Sequence, residues 1–353
     1  MATQRIAFFD NLKGVLIFLV VLGHCLSYMP DVAEQRLLSM LVVFIYSFHM
    51  PAFIFVSGLF AYKTCTVEKG FRAENVLFYL ALYLLFCLLK SLEELCMGNG
   101  FSFNPLVQGA APWYLLVMTT YTLMTPMLRH IKPAVMLPML VLAAVGGMYL
   151  IDGEIRGVLA IARTLAYAPV FAAGFYIGAA QMTGYIERTL QHPRIALLRL
   201  AALAVLVGFF VVLCLVPEHL AVAVKRICTG QNTALTMGAG YGIPLPLFGL
   251  ARLLFYPFVA VLTIAVMFLT PRRRFFISAW GERSLQVYIA HMLVIYAMAH
   301  YGLNAAMLEV SALWAWSPLV VAPLMTALLA APSAPLAWTA ALKRLCTKAV
   351  AHA

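Results

Sequence analysis

Long apolar runs with short polar connections occupy almost the whole chain, and they constrain its fold more than any other feature. Of the 353 residues, 64% are hydrophobic and only 10% are charged, which is too apolar for a water-soluble globule. A helix needs about 20 apolar residues to cross a bilayer, and it satisfies its backbone hydrogen bonds internally. The pattern predicts an all-α, polytopic membrane helical bundle that forms a single domain over residues 1–353.

Ten runs are predicted to form transmembrane helices, at residues 8–29, 37–62, 76–96, 113–128, 134–151, 158–180, 197–217, 251–270, 284–301 and 312–331. An even number places both termini on one side of the membrane. If that side is cytoplasmic, the inner segments hold 17 of the 24 Lys and Arg residues, in accord with the positive-inside rule. The net charge of +11 then indicates anionic lipids and an anionic cytosolic cofactor as partners, rather than nucleic acid.

The two longest polar connections, residues 97–112 and 218–250, are predicted outside the cytoplasm. The second is rich in Gly, Pro, Asn and Thr, which favours an irregular loop. It could cap an outward-facing vestibule or serve as a loose connector. Cys96 and Cys228 both fall on this oxidising side, and whether they pair stays open.

Pro51 interrupts the second apolar run directly after His49 and Met50. A proline inside a helix cannot donate to the carbonyl four residues earlier, here that of Ser47. We expect a kink or locally open backbone, which is tolerated at membrane depth where it lines a cavity. A simple packing kink explains the proline equally well.

Lys13 and His24 lie eleven positions apart in the first run, with only small or apolar residues between them. Eleven residues return a helix to within about 20° of its starting face and rise about 16 Å. We therefore expect a lysine at the water boundary and an imidazole inside the bilayer on the same face. An ionisable group within a membrane is a functional-site hypothesis.

Three histidines, His24, His49 and His291, fall near the predicted midplane. Apolar surroundings keep an imidazole neutral, the form that accepts a proton from a hydroxyl. A single histidine of this kind is more often a packing residue, but three at similar depth favour a site. Neither an HExxH pair nor a cysteine cluster accompanies them, so no metal is predicted.

Five sequence blocks together resemble the membrane acyltransferase 3 superfamily: FFDNLKGVLIFLVVLGH, SFHMPAFIFVSGLF, WYLLVMTTYTLMTP, APVFAAGFYIG and GERSLQVYIAHMLVIY. The nearest branch looks like the fucose 4-O-acetylase-like proteins. Lys13 and His24 match the family's basic residue and histidine, with lysine in place of the commoner arginine. His49 and His291 match its second and third histidines.

The resemblance implies transfer of an acetyl group from cytosolic acetyl-CoA to a hydroxyl of a carbohydrate or cell-envelope glycan, in the bacterial cytoplasmic (inner) membrane. His24, with His49 and His291, is predicted to be catalytic. Lys13, Lys63, Lys69 and Arg72 are predicted to bind the coenzyme A phosphates. Many relatives have an arginine pair where only the last three of these cations occur.

Arg163, in the outer half of the sixth run, is predicted either to reach the outer interface or to bind the acceptor. Two other functions fit the same residues. A transporter or exporter of a small polar metabolite could use the histidines as a proton relay, and a membrane sensor would bind the acceptor without turnover. The sequence does not identify the acceptor, the oligomeric state or whether an acyl-enzyme forms.

Overall fold

The computed structural model describes residues 6–30, 32–66, 70–107, 112–151, 153–241, 243–332 and 338–350. Its helices are α1 (Ala7–Ser27), α2 (Arg36–Ala61), α3 (Ala73–Cys96), α4 (Trp113–His130), α5 (Pro133–Leu150), α6 (Ile161–Leu190), α7 (Ile195–Leu215), α8 (Glu218–Cys228), α9 (Ala234–Tyr241), α10 (Leu245–Leu269), α11 (Phe276–Glu282), α12 (Ser284–His300), α13 (Leu303–Val310), α14 (Pro318–Leu329) and α15 (Trp338–Ala349). Two short strands, β1 (Cys65–Thr66) and β2 (Gly70–Phe71), pair antiparallel. The protein is a polytopic membrane helical bundle.

Each of the ten predicted apolar runs contains a helix, but fewer helices are long enough to span a bilayer. Within the described ranges, seven helices are sufficiently long and apolar, and the pair α12–α13, bent by 58°, would make an eighth. The 12 residues of α14 rise only about 18 Å, less than the roughly 30 Å of the hydrocarbon core. The cytoplasmic location of both termini stays a prediction.

The segment 218–250, predicted to be an irregular loop, contains two helices and the start of a third. Helices α8 and α9 lie within it, and α10 begins at Leu245 rather than at residue 251. The glycines and prolines fall mostly at or between helix ends, where they interrupt helices without preventing them. The described part of 97–112, by contrast, contains no helix. Cys96 and Cys228 are free cysteines.

Helix α2 stays helical through His49, Met50 and Pro51, so of the two expectations the locally open backbone does not form, and the kink stays a prediction. The backbone departs from helical geometry in α6 instead, where Gly178 has φ 68° and ψ 154°. A positive φ is available to glycine at little cost because it has no Cβ. The departure from helical geometry in α6 is therefore made at a single glycine.

The chain divides into two compact units. The first contains Met1–Met50, Ala196–Val222 and Val261–Ala337, and the second contains Pro51–Ile195, Ala223–Ala260 and Trp338–Ala353. The three histidines and Lys13 belong to the first unit, whereas Lys63, Arg72 and Arg163 belong to the second. This division describes packing, and the single acyltransferase domain stays a prediction from sequence.

Helices differ strongly in how much protein covers them. In the most apolar windows of α1 and α2, 72% of the residues are buried, against 6% in α7. An apolar helix face that is not covered by protein is suited to contact lipid. The helices that carry Lys13, His24 and His49 are therefore the enclosed ones, where polar side chains can be satisfied by protein groups.

Candidate functional site

The N-terminal part of α1 is anchored by a buried asparagine. Asn11, 0% exposed, donates from Nδ2 to the carbonyl oxygens of Pro271 and Arg273, at 2.8 and 2.9 Å. Its Oδ1 accepts a hydrogen bond from the Ser278 hydroxyl at 2.5 Å. One side chain thus holds the loop between α10 and α11 and the start of α11 against α1, two residues from Lys13.

Two glycines let α1 and α11 approach at backbone distance. A Cβ on Gly281 would lie 1.7 Å from the carbonyl oxygen of Asp10, and one on Gly14 would lie 2.2 Å from that of Ile277. No side chain fits in these places, because real Cβ atoms do not come so close to backbone oxygens. Residues 10–14 of α1 and residues 277–281 of α11 therefore form the close contact beside Lys13.

Lys13 forms an ion pair within its own helix. Its Nζ lies 3.2 Å from Oδ1 of Asp10, and its side chain is 22% exposed against 4% for the aspartate. Asp10 lies one turn before Lys13 in α1, where an i,i+3 pair can form. The buried carboxylate therefore holds the ammonium group of a lysine whose side chain is still partly exposed.

His24 contacts side chains from two other helices of the first unit. Its Nδ1 lies 3.2 Å from the hydroxyl of Tyr46 on α2, and its ring centroid is 5.4 Å from that of His291 on α12. The Tyr46 ring in turn lies 5.1 Å from the ring of His49. The structure therefore brings all three predicted histidines into one cluster, with Tyr46 between two of them.

Backbone carbonyls fix the tautomers of two of these rings. Nδ1 of His49 lies 2.6 Å from the carbonyl oxygen of Ile45, and Nδ1 of His291 lies 2.9 Å from that of Val287. A carbonyl only accepts, so each Nδ1 carries the hydrogen and Nε2 of the neutral ring is the acceptor. His291 is 0% exposed, and its Nε2 has no hydrogen-bond partner in the described chain. That nitrogen can receive a proton or a hydroxyl group.

His24 lies close to the C-terminal end of α1. It is in the last turn of the helix, and the Tyr28 N–H donates to its carbonyl. The negative end of the helix dipole is at this terminus, and it stabilises a positively charged imidazolium. The position suits a group that takes up a proton during a reaction.

The other three cations predicted to bind the donor are Lys63, Lys69 and Arg72. The two that the structure describes, Lys63 and Arg72, differ from each other in their surroundings. Lys63 is exposed in a 3-10 turn before β1. Arg72 precedes α3 and forms an ion pair with Glu74, with Nε 2.7 Å from Oε1. Lys69 lies outside the described residues.

Arg163 packs within the second unit near the start of α6. Its guanidinium carbon is 4.6 Å from the ring centroid of Trp113, and Nη2 donates to Oε1 of Gln231 at 2.6 Å. The Trp113 ring also stacks on Tyr167, with centroids 5.8 Å apart. Cation–π and hydrogen-bond contacts hold Arg163 against this aromatic pair.

Sequence reasoning missed two residues with unusual surroundings. Tyr46 was not singled out, although its spacing of three from His49 puts the two on adjacent positions of a helix surface. Arg252 was not singled out either, yet it is 1% exposed. Its Nη1 donates to the Ile227 carbonyl at 3.2 Å and its Nε lies 3.2 Å from Sδ of Met148. Its position inside an apolar run was the available signal.

Comparison with known proteins shows which family the chain belongs to. A family model described as an acyltransferase domain matches residues 6–338, nearly the whole chain. No curated protein and no solved structure matches the chain. The match confirms the resemblance at the family level and does not distinguish the fucose 4-O-acetylase-like branch. The protein therefore belongs to the membrane acyltransferase 3 family and is an integral membrane acyltransferase.

Proposed function

We propose that the protein is an O-acetyltransferase of the bacterial cytoplasmic membrane, in the fucose 4-O-acetylase-like branch of its family. The donor is cytosolic acetyl-CoA, and the acceptor is a hydroxyl of a carbohydrate or cell-envelope glycan. The observation that carries the proposal is the contact between His24 and His291, whose ring centroids are 5.4 Å apart. Lys13 lies on the same helix as His24, towards its N-terminal end.

The histidine cluster has the groups that acyl transfer to an alcohol needs. The acceptor hydroxyl oxygen attacks the thioester carbonyl carbon, so a C–O bond forms and the C–S bond breaks. His24 takes the hydroxyl proton as general base and then passes it to the sulfur of the departing thiolate, so that coenzyme A leaves as its free thiol. His291 lies beside His24 and His49 lies beside Tyr46, as neutral rings whose acceptor nitrogens can bind neighbouring hydroxyls of the acceptor.

The donor is proposed to enter from the cytoplasmic end of α1. The nucleotide end of coenzyme A is anionic and its thioester end is neutral, which matches an ammonium group at Lys13 and imidazoles about 16 Å further along the helix. Lys63, Lys69 and Arg72 are proposed to bind the phosphates as well. Arg273 joins this set, because Asn11 binds its carbonyl and so holds its loop near Lys13.

Arg163 is proposed to bind the acceptor. It lies in the first turn of α6, at the end that the charge distribution places outside. Its guanidinium rests on Trp113, so a fixed cation and an aromatic surface occur together, a combination suited to hydroxylated or anionic groups.

The experiment is incubation of the purified protein with radiolabelled acetyl-CoA and a series of glycans, followed by analysis of the products. The variant His24→Ala should lose transfer by about 10³-fold, within the range of general-base catalysis, while it remains folded. His219→Ala is the matched control, since His219 is exposed in α8. Wild-type turnover by purified His24→Ala would contradict the assigned role.

The same experiment separates this function from the export of a small polar metabolite. An exporter has no use for a thioester, so it would neither bind nor consume acetyl-CoA. The family match favours acyl transfer. Consumption of acetyl-CoA that depends on an added glycan would support the transferase and exclude the exporter.

A further inference from the structure

A polar cavity of about 280 Å³ lies in the second unit, at the C-terminal end of α3. Its lining comes from that end of α3 and from the connection to α4, and includes Lys90, Ser91, Glu94, Asn99, Ser102 and Asn104. Pockets for drug-sized ligands are about 300–1,000 Å³. The cavity is therefore sized for one small ring rather than for a whole oligosaccharide or for coenzyme A.

The connection that forms one wall is held in a fixed shape. Gly98 and Gly100 have φ of 81° and 83°, which turns the chain directly after α3. The buried Ser91 hydroxyl then lies 2.7 Å from the Ser102 carbonyl, and Tyr83 donates to the Pro105 carbonyl. Because these bonds tie the segment to α3, the cavity exists before any ligand binds.

Residues 100–104 present two different surfaces. Gly100, Ser102 and Asn104 line the cavity, whereas Phe101 and Phe103 are 52% and 43% exposed. In extended chain, alternate side chains point to opposite sides. Exposed aromatic rings at the end of a membrane helix favour the lipid–water interface, which leaves the polar side of the segment for the cavity.

The lining combines donors and acceptors without an excess of charge. Asn99 Nδ2 donates to Oε2 of Glu94 at 2.8 Å, and Lys90 lies one turn before Glu94, so one cation accompanies one carboxylate. A phosphate would be repelled by the carboxylate of Glu94. Within the described residues, no group of three His, Cys, Asp or Glu side chains could hold a metal ion. The hydroxyls of a neutral ligand can donate to the carboxylate and accept from the ammonium group, so a neutral polyhydroxylated ligand fits this lining.

We propose that this cavity binds one neutral sugar ring of the acceptor glycan, through Glu94, Asn99 and Lys90. The inference rests on the proposed function. The 24 residues of α3 span about 36 Å, so the cavity lies at the opposite end of this helix from Arg72. The acceptor ring and the phosphates of the donor are therefore bound at opposite faces of the membrane.

The test measures protection of a cysteine placed in the cavity. Ser102→Cys is made in a Cys96→Ser background, because Cys96 is exposed, and the purified full chain in lipid nanodiscs reacts with a charged thiol reagent. The probes are methyl glycosides of glucose, galactose, mannose, rhamnose and fucose at about 50 mM. At least one should slow the reaction about sixfold, as for a Kd of about 10 mM.

Two variants and one control decide the outcome. Glu94→Gln and Asn99→Ala should each remove the protection, and Glu187→Gln, a matched change on α6, should retain it. The proposal is overturned if none of the glycosides protects the introduced thiol in the Ser102→Cys protein. It is also overturned if protection persists in both cavity variants, with folding of each checked by thermal unfolding.

The protection experiment contains no acyl donor, so it is independent of catalysis. If no glycoside protects the thiol but acetyl transfer is intact, the sugar site in this cavity is refuted and the proposed enzymatic function stands. Protection without any acetyl transfer to glycans would keep a sugar site and discard the proposed reaction.

Discussion

Two histidines of the first unit and three tyrosines of the second use hydrogen bonds in opposite ways. His49 and His291 each bond a carbonyl of their own helix, four residues earlier. Tyr121, Tyr167 and Tyr256 instead donate to carbonyls that are 43, 61 and 90 residues away in the chain. A local bond orients a ring, whereas a distant bond joins two parts of the fold.

This difference indicates how the two kinds of residue should respond to substitution. A histidine fixed by its own helix keeps its second nitrogen for chemistry, so its loss should reduce activity more than stability. A tyrosine that satisfies a carbonyl in another segment should affect stability first, because a buried unpaired carbonyl costs about 1–3 kcal/mol. Four predictions test this separation, in order of decreasing effect.

A variant of the scaffold sets the reference for loss of folding. Gly281→Ala would place a Cβ 1.7 Å from the Asp10 carbonyl oxygen, so α1 and α11 must separate. We expect the free energy of unfolding to fall by about 3 kcal/mol, the upper part of the range for overpacking, with activity lost in parallel. Thermal unfolding in detergent measures this effect. Gly146→Ala is the control, since no atom lies within 4 Å of the added Cβ, and a Gly281→Ala protein of wild-type stability would refute the packing argument.

The histidine cluster should respond in activity alone. His291→Gln keeps a polar side chain in the same place but removes the basic nitrogen, and we expect acetyl transfer to fall about 100-fold with little change in the melting temperature. The matched control is His300→Gln, at the exposed end of the same helix. If His291→Gln instead unfolds as readily as Gly281→Ala, the contrast between the two units disappears.

The tyrosines should respond in stability alone. Tyr167→Phe removes the hydroxyl that donates to the Cys228 carbonyl at 2.7 Å and conserves almost all of the volume. The free energy of unfolding should fall by about 1–2 kcal/mol, while turnover per folded molecule is unchanged. Tyr185→Phe, at a residue 44% exposed, should cost under about 0.5 kcal/mol. An equal effect of the two changes would count against the role of the distant bond.

The cations proposed to bind the donor should give the smallest effect. Lys13→Gln and Arg273→Gln should each raise the KM for acetyl-CoA about fivefold, with kcat changed less and the difference reduced at high salt. Arg344→Gln, an exposed cation of α15, is the control. Steady-state kinetics at two ionic strengths provides the measurement, and an unchanged KM in both variants would remove these residues from the donor site.

The helices were predictable because their signal is local. Apolar runs such as 8–29 and 134–151 agree with α1 and α5 within two residues at each end. A helix in a bilayer makes its backbone hydrogen bonds within its own segment, so the segment's own sequence is enough to predict it. The segment 218–250 failed for the opposite reason. Its glycines and prolines indicated a loop, but α8 and α9 are stabilised by packing, as in the buried cluster that includes Ala223, Ala234 and Phe248.

The sequence by itself determined that this chain is a helical membrane protein, that it resembles a family of acyltransferases, and that Lys13 and His24 lie on one face of α1. These conclusions need only composition, order and helical spacing. The tertiary structure alone decided that Tyr46 and His291 meet His24, that Asn11 and two glycines hold α11 against α1, and that Arg252 is buried. Such contacts join residues that are tens to hundreds of positions apart, and no periodicity within a segment specifies which distant atom will satisfy a given donor.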